Sequence, residues 1–214
     1  APSSDTKVPS QSGSGTSGTH PSVRFMSTDT SLDTSIREPA PDAGESETIL
    51  FAMDRARAQF AWKLGGLDAE ALGRTFPPST MTLGNLLKHL AFVEDFYAAE
   101  HAAGHWRDHS DSPTFPWAPE HFATDPEWPW HSAADDAPEH LYAVHRDAVT
   151  FAREAWTTAV TERGLDAPTL SDGDPRTLRR VLVDLVTEYS RHAGHADVFR
   201  EAVDGLVGED PPQD

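Results

Sequence analysis

The stretch EYSRHAGHADVFRE, residues 188–201, places one carboxylate and two imidazoles at helical spacing. His192 follows Glu188 by four residues, and His195 follows it by seven. Because each residue of an α-helix turns about 100°, these three side chains fall within roughly 60° of one another. Carboxylates and imidazoles bind metal ions and carry protons, so the spacing indicates a metal site or acid–base chemistry.

The apolar run LRRVLVDLVTEY ends at these polar residues, and Leu178 and Leu185 lie close to the same helical line. The face that carries Glu188 therefore points inward. Polar side chains that point inward cost several kcal/mol unless they find partners. Two interpretations remain open, a hydrogen-bonded network that satisfies itself or a set of ligands that holds something.

A candidate partner lies in LLKHLAFVEDFY, where His89 stands three residues after Leu86 and four before Val93. A single histidine on an apolar face is more often a packing residue than a ligand. Two helices with ligand-type residues in one core favour a shared site. One histidine from the earlier helix, with Glu188 and His192, would make three ligands and leave one coordination position open, as in catalytic zinc sites.

A rival histidine pattern is His101, His105 and His109, spaced H-x3-H-x3-H. Gly104 interrupts it, and the flanking residues are not strongly apolar. We interpret these histidines as exposed residues at a helix end rather than as a metal site.

Four amphipathic segments predict the helices that position these residues, and no segment alternates like a β-strand. The predicted helices cover residues 47–64, 83–103, 137–163 and 175–203. The expected N-terminal caps are Thr82, then Asp135 or Asp136 before Pro138, and Asp174 before Pro175. Four such helices favour an all-α fold, a four-helix bundle.

The connection between the second and third predicted helices, residues 104–136, is long and rich in aromatic residues. It contains Trp106, Phe115, Trp117, Phe122, Trp128 and Trp130. So aromatic a loop is expected to pack over one end of the bundle, either as a plain hydrophobic lid or as the cover of a site.

Composition divides the chain into three parts. Residues 1–45 are rich in Ser, Gly, Thr and Pro and are expected to form a disordered tail. Residues 1–25 include the linker-like SGSGTSG, with Met26 as a candidate native start. Residues 46–208 would form the bundle, and residues 209–214 a short C-terminal tail.

Charge and cysteine content limit the classes of function. The formal net charge is −18, from 35 acidic and 17 basic residues, which argues against binding nucleic acid or an anionic membrane surface. No apolar stretch reaches the length of a membrane span and no secretory signal pattern is visible, so a cytoplasmic location is expected. The chain has no cysteine, so any thiol chemistry would need a thiol from outside.

The L-L-x-H-L context of His89, the Glu-x3-His motif and the ending EYSRHAGHADVFREAVDG resemble the DinB-like metalloprotein superfamily, in its branch of mycothiol-dependent enzymes. The resemblance covers about residues 47–208. It implies a four-helix bundle with one divalent metal, zinc first and nickel second, held by His89, Glu188 and His192. Many members have a third histidine at the carboxylate position, so Glu188 favours the mycothiol branch.

The resemblance also implies an activity. The expected enzyme is a thiol S-transferase that uses a low-molecular-weight thiol of the mycothiol type as a metal-bound thiolate, which attacks a small electrophile. The alternatives are a metal-dependent hydrolase or isomerase, or a non-catalytic metal-binding stress protein. By analogy with the family, a homodimer is possible.

Two residues of the motif stand outside the expected ligand set. His195 is either a catalytic proton carrier or the donor of a structural hydrogen bond. Gly194, between the two histidines, is expected to leave space beside the site at a cost in helix stability.

Overall fold

The computed structural model of the chain describes residues 29–107, 114–173 and 176–213. The described residues form an all-α fold, and apart from two isolated bridges they contain no β-structure. The α-helices are α1 (Glu45–Leu64), α2 (Ala69–Gly73), α3 (Leu83–Tyr97), α4 (Pro119–Thr124), α5 (Trp128–His131), α6 (Pro138–Arg163) and α7 (Leu178–Asp204). A π-helical turn, Ala98–Ala103, extends α3, and a 3-10 turn, Ser132–Asp135, leads towards α6.

The four long helices α1, α3, α6 and α7 form the predicted four-helix bundle. α1 packs along α7, α3 packs along α6, and α3 also contacts α7. Their apolar faces meet in one core, which includes the fully buried Phe60, Leu86, Leu90, Leu182 and Leu178. Burying one such side chain stabilises the fold by about 1.5–3 kcal/mol. The apolar residues at helical spacing are the ones buried here, so the sequence periodicity predicts the bundle correctly.

The predicted cap of α3 is confirmed. The Thr82 hydroxyl accepts a hydrogen bond from the backbone N–H of Asn85, and the Asn85 side chain accepts one from the backbone N–H of Thr82. This reciprocal capping box satisfies two donors that would otherwise be unpaired at the start of the helix. It fixes where the helix that carries His89 begins.

The predicted caps of α6 and α7 need correction. Neither Asp135 nor Asp136 caps α6, which begins after Ala137 without a side-chain cap. The Asp136 carboxylate is instead bound by the Lys88 side chain of α3. Asp174 and Pro175 lie outside the described residues, and Thr177 is the residue that caps α7.

Two neighbouring acidic residues of α3 form buried ion pairs. The Glu94 carboxylate accepts two hydrogen bonds from the Arg57 guanidinium of α1, each 2.7 Å long. The Asp95 carboxylate accepts two from Arg107, at 2.5 and 2.7 Å, and one from the Trp117 indole at 2.7 Å. Because an unpaired buried charge is very unfavourable, these contacts fix α3 against α1 on one side and against the aromatic loop on the other.

The aromatic loop packs along the flank of the bundle formed by α3 and α6, rather than over its end. It forms a second apolar cluster with those helices, in which the buried members are Ala91, Phe92, Phe115, Trp117, Val144 and Ala148. The loop is therefore ordered where it is described, and α4, α5 and the 3-10 turn form within it.

Both chain ends described in the structure lie against the bundle. Of the tail predicted over residues 1–45, residues 1–28 lie outside the described residues. Residues 29–40 form neither helix nor strand. Leu32 packs on the core, and the Thr30 carbonyl accepts a hydrogen bond from the N–H of Gly66. At the other end, the Asp210 side chain pairs with Arg55 of α1 at 2.7 Å.

Across the described part of the chain, no helix has the length and apolar character needed to cross a membrane.

Gly194 does not leave space beside the site, contrary to expectation. It lies in the interior of α7 on the exposed side, and a Cβ atom added there would meet nothing within 4 Å. We therefore predict that Gly194→Ala raises the free energy of unfolding by about 0.5–1 kcal/mol, because alanine loses less backbone entropy in a helix. Urea titration monitored by circular dichroism measures the change.

Gly205 provides the matched control at the end of the same helix. Its φ of 82° lies in the left-handed region, so Gly205→Ala should lower the stability in the same titration. If both variants changed stability in the same direction, the assignment of Gly194 to the exposed face would be wrong.

His145 of α6 should make the protein sensitive to acid. It is 3% exposed, and neither ring nitrogen finds a hydrogen-bond partner among the described residues. Burial, with a smaller contribution from the Arg57 charge, lowers the pKa of His145 to about 3. In the unfolded chain, His145 takes up a proton below the ordinary histidine pKa of about 6.5, whereas in the folded protein it remains neutral at the same pH.

From this group, the free energy of unfolding should fall by about 1.4 kcal/mol for each pH unit below about 6.5, down to about pH 3. We predict that His145→Leu removes this slope, so that the stabilities of the two proteins differ by a constant above pH 7 and converge or cross on acidification. Urea midpoints at pH 7.5, 6.0 and 5.0 check this. Parallel curves over the whole range would contradict it.

Candidate metal centre

Two helices of the bundle bring the candidate ligands together. α3 presents His89 in the middle of its length, and α7 presents Glu188 and His192 one turn apart on its inner side. The His89 side chain is 11% exposed, that of His192 7% and that of Glu188 31%. The two imidazoles are thus largely enclosed, whereas the carboxylate marks the side of the cluster that solvent reaches.

The three side chains converge on one point. The Oε1 atom of Glu188 lies 3.1 Å from His89 Nε2 and 3.1 Å from His192 Nε2. One ligand atom from each residue lies within 4.8 Å of the others. Ligands that share one zinc ion at ~2.0–2.2 Å in a tetrahedral arrangement are roughly 3.4 Å apart, so the spacing fits a single small divalent metal.

The surroundings favour the protonation states that ligands require. Hydrogen bonds with His192 and then with His89 hold the pKa of Glu188 well below its usual range. Burial lowers the pKa of His89, although the neighbouring carboxylate opposes this effect. An ionised carboxylate and a neutral imidazole are the forms that bind metal, so no large proton uptake or release is needed to prepare these two groups.

His192 departs in one respect from the usual pattern of metal-binding histidines, whose second nitrogen normally donates to an acceptor. Its Nδ1 is buried and has no hydrogen-bond partner in the part of the chain that the structure describes. Packing orients the ring instead, since its centroid lies 5.0 Å from that of His89 and 5.7 Å from that of Trp130.

His195 lies beside the cluster, not in it. Its ring centroid is 5.6 Å from that of His192, one turn further along α7. Burial is the first cause of a lowered His195 pKa, followed by the charge of His192. Its Nδ1 has no hydrogen-bond partner among the described residues, so the alternative of a structural hydrogen bond through that atom finds no support there.

Of the rival histidines, the two that the structure describes, His101 and His105, lie outside the converging set. His101 is buried, contrary to expectation, because the π-helical turn directs it towards Arg176, with 3.4 Å between His101 Nε2 and Arg176 Nη2. His105 is exposed, as expected. His109 lies outside the described residues.

Trp130 also belongs to the site, although no pattern in the sequence pointed to it. Its indole stacks on the His89 imidazole with centroids 4.4 Å apart and ring planes 22° apart. Its backbone carbonyl accepts a 2.6 Å hydrogen bond from the Asn85 side chain. Asn85, which forms the capping box of α3 with Thr82, therefore also holds the indole in place over His89.

Lys88 was missed as well. It is 1% exposed, its Nζ lies 2.5 Å from Asp136 Oδ2, and it stands 4.0 Å above the Trp128 ring. A lysine within the apolar run LLKHL was the available signal, because a buried lysine needs a carboxylate or aromatic partner. Together with Asn85, Lys88 fixes the aromatic loop next to His89.

Comparison with known proteins identifies the family of the chain. Residues 48–205 match the family described as Mycothiol-S-transferase, and the matched range contains His89, Glu188, His192 and His195. No curated protein and no solved structure matches the chain. The predicted relationship to the mycothiol-dependent branch is confirmed. Since the match covers well over half of the 214 residues, the chain belongs to the mycothiol S-transferase family, a DinB-like family.

Proposed function

We propose that this protein transfers a low-molecular-weight thiol of the mycothiol type to a small electrophile, with His89, Glu188 and His192 as the ligands of one divalent metal ion. The observation that carries the proposal is the convergence of three ligand atoms from α3 and α7 within 4.8 Å. Membership of the mycothiol S-transferase family supports the choice of a thiol as cosubstrate. Zinc is the first candidate for the metal, and nickel the second.

A divalent metal held by His89, Glu188 and His192 would lower the pKa of a thiol bound to it and so supply a thiolate at neutral pH. The protein contributes a preformed donor set, because Glu188 is ionised and His89 is enclosed by the bundle and by Trp130. Since the chain has no cysteine, the sulfur comes from the cosubstrate. The exposed side of Glu188 leaves room for it to approach.

His195 is proposed as the acceptor of the thiol proton. Its imidazole is next to His192 but outside the converging set, and its Nδ1 has no partner among the residues described. In the reaction the S–H proton passes to His195, and the sulfur forms a bond to an electrophilic carbon. The leaving group departs with its bonding electrons, and His195 then returns the proton to solvent.

Trp130 keeps water away from one side of the reacting sulfur. The indole covers His89, and Asn85 holds it there through the backbone of the loop. Exclusion of water strengthens electrostatic interactions at the site and limits competing hydrolysis. The aromatic loop therefore has a role in the proposed reaction besides packing.

The metal assignment is tested by elemental analysis of the purified protein. We predict that His192→Ala and Glu188→Gln lose most of the bound metal, because each removes one of three ligands. Glu188→Gln nearly preserves the shape of the side chain, which separates loss of metal from misfolding. Circular dichroism checks the fold of both variants.

His105→Ala is the matched control, since this exposed histidine lies outside the cluster and should leave the metal content unchanged. If His192→Ala and Glu188→Gln retained metal at the wild-type ratio, the three residues would not be the ligands.

Thiol dependence is tested with monochlorobimane, which becomes fluorescent when a thiolate displaces its chloride. We predict turnover with mycothiol that exceeds the rate without enzyme and is lost on removing the metal with a chelator.

His195→Gln, which cannot take up a proton at neutral pH, should lower kcat about 10²-fold or more while metal is retained.

Hydrolysis of ester or amide substrates at a rate that does not depend on any added thiol would favour a metal-dependent hydrolase instead. Binding of metal without turnover by any thiol would favour the non-catalytic alternative. Either result would overturn the proposed transferase activity.

A further inference from the structure

A second polar cluster lies next to the candidate metal centre, along the same two helices. It consists of Tyr97 at the end of α3, Arg176 just before α7 and Asp184 within α7, and is here named the Tyr97 cluster. With a rise of about 1.5 Å per residue, Tyr97 stands about 12 Å along α3 from His89. Asp184 stands about 6 Å along α7 from Glu188, one turn away on the same side.

The members of the Tyr97 cluster contact one another through polar groups. Arg176 Nη1 lies 3.4 Å from Asp184 Oδ2, and Arg176 Nη2 lies 3.4 Å from His101 Nε2. The Tyr97 hydroxyl interacts with the Arg176 guanidinium and lies within electrostatic range of Glu188. The contacts of Arg176 with Asp184 and His101 are at the long end of hydrogen-bond distances, so the hydroxyl groups of a ligand can compete for the donors of Arg176. The Asp184 carboxylate also accepts from Arg180 Nε, which lies 3.0 Å from each of its oxygens.

The backbone changes its helical form at this point. The π-helical turn Ala98–Ala103 follows Tyr97 directly and ends at Gly104, which has a φ of 75°. His101 belongs to this turn and is buried next to Arg176. The His101 ring centroid lies 5.4 Å from that of Tyr97.

The Trp130 indole covers His89, whereas Glu188 is 31% exposed. Glu188 and Asp184 lie one turn apart on the same side of α7, and Asp184 and Arg176 are 31% and 30% exposed. The exposed carboxylate of the candidate centre and the Tyr97 cluster are therefore neighbours on α7.

We propose that the Tyr97 cluster binds the hydroxyl-bearing, sulfur-free part of the cosubstrate, the glucosaminyl-inositol of a mycothiol-type thiol. This inference rests on the proposed function. A guanidinium and a carboxylate side by side supply a donor and an acceptor for neighbouring hydroxyl groups, and the Tyr97 hydroxyl can act as either. The roughly 12 Å between Tyr97 and His89 suits a thiol that carries two rings and is too long for free cysteine.

The test compares mycothiol with N-acetylcysteine, which has the same thiol but lacks the sugar and the inositol. Tyr97→Phe and Asp184→Asn should each lower the ratio of kcat/KM for mycothiol to kcat/KM for N-acetylcysteine by about tenfold, the effect of losing one hydrogen bond. Most of the change should come from the KM for mycothiol, and metal content should match that of the wild type. Ser190→Ala, on the exposed opposite side of α7, is the control and should keep the ratio.

Direct binding separates failure of the subsite from failure of the proposed function. Glucosaminyl-inositol without sulfur should bind the metal-loaded wild type in ligand-observed NMR and bind both variants more weakly, whether or not any thiol is turned over. An unchanged ratio, or equal binding to the wild type and both variants, would overturn the proposal. Equal losses with both thiols would also overturn it, because they would assign the cluster a general structural role.

Discussion

The Glu188 carboxylate lies between two imidazoles from different helices, so α3 and α7 must pack in one particular register. Glu188 and His192 belong to α7, but His89 comes from α3, so the centre exists only if these helices keep a fixed register. A slip of one helical turn would move His89 by about 5.4 Å and separate the ligands completely. The buried pair of Glu94 with Arg57 opposes such a slip, because it fixes α3 to α1, and α1 in turn packs along α7.

α3 holds the aromatic loop by a similar means. Along its length Asn85 binds the backbone of Trp130, Lys88 binds Asp136, and Asp95 binds Arg107. Each of these contacts buries a polar or charged group, and the loss of hydration offsets much of the stabilisation. Their main effect is therefore to favour one arrangement of the loop over others. The loop thereby becomes a fixed wall of the centre that leaves the Glu188 side accessible.

The same helices connect the proposed chemistry to the proposed recognition. The centre lies in the middle of α3, and the Tyr97 cluster lies where that helix passes into the π-helical turn. A cosubstrate could thus place its sulfur at the centre and its hydroxyl groups on the cluster, with both sites fixed by one helix. Orientation of this kind raises reaction rates without any new chemical group at the reacting atoms.

The four-helix bundle and the candidate ligands could be predicted from the sequence, because both depend on helical periodicity. Apolar spacing identified the four long helices, and the phase of Glu188 and His192 against Leu185 identified an inward polar face. The contact of His89 with Glu188, the stacking of Trp130 on His89 and the pairing of Asp136 with Lys88 follow instead from the way the helices and the loop pack. Those contacts join residues 41 to 99 positions apart, and local spacing carries no information about which distant side chains meet once the helices pack.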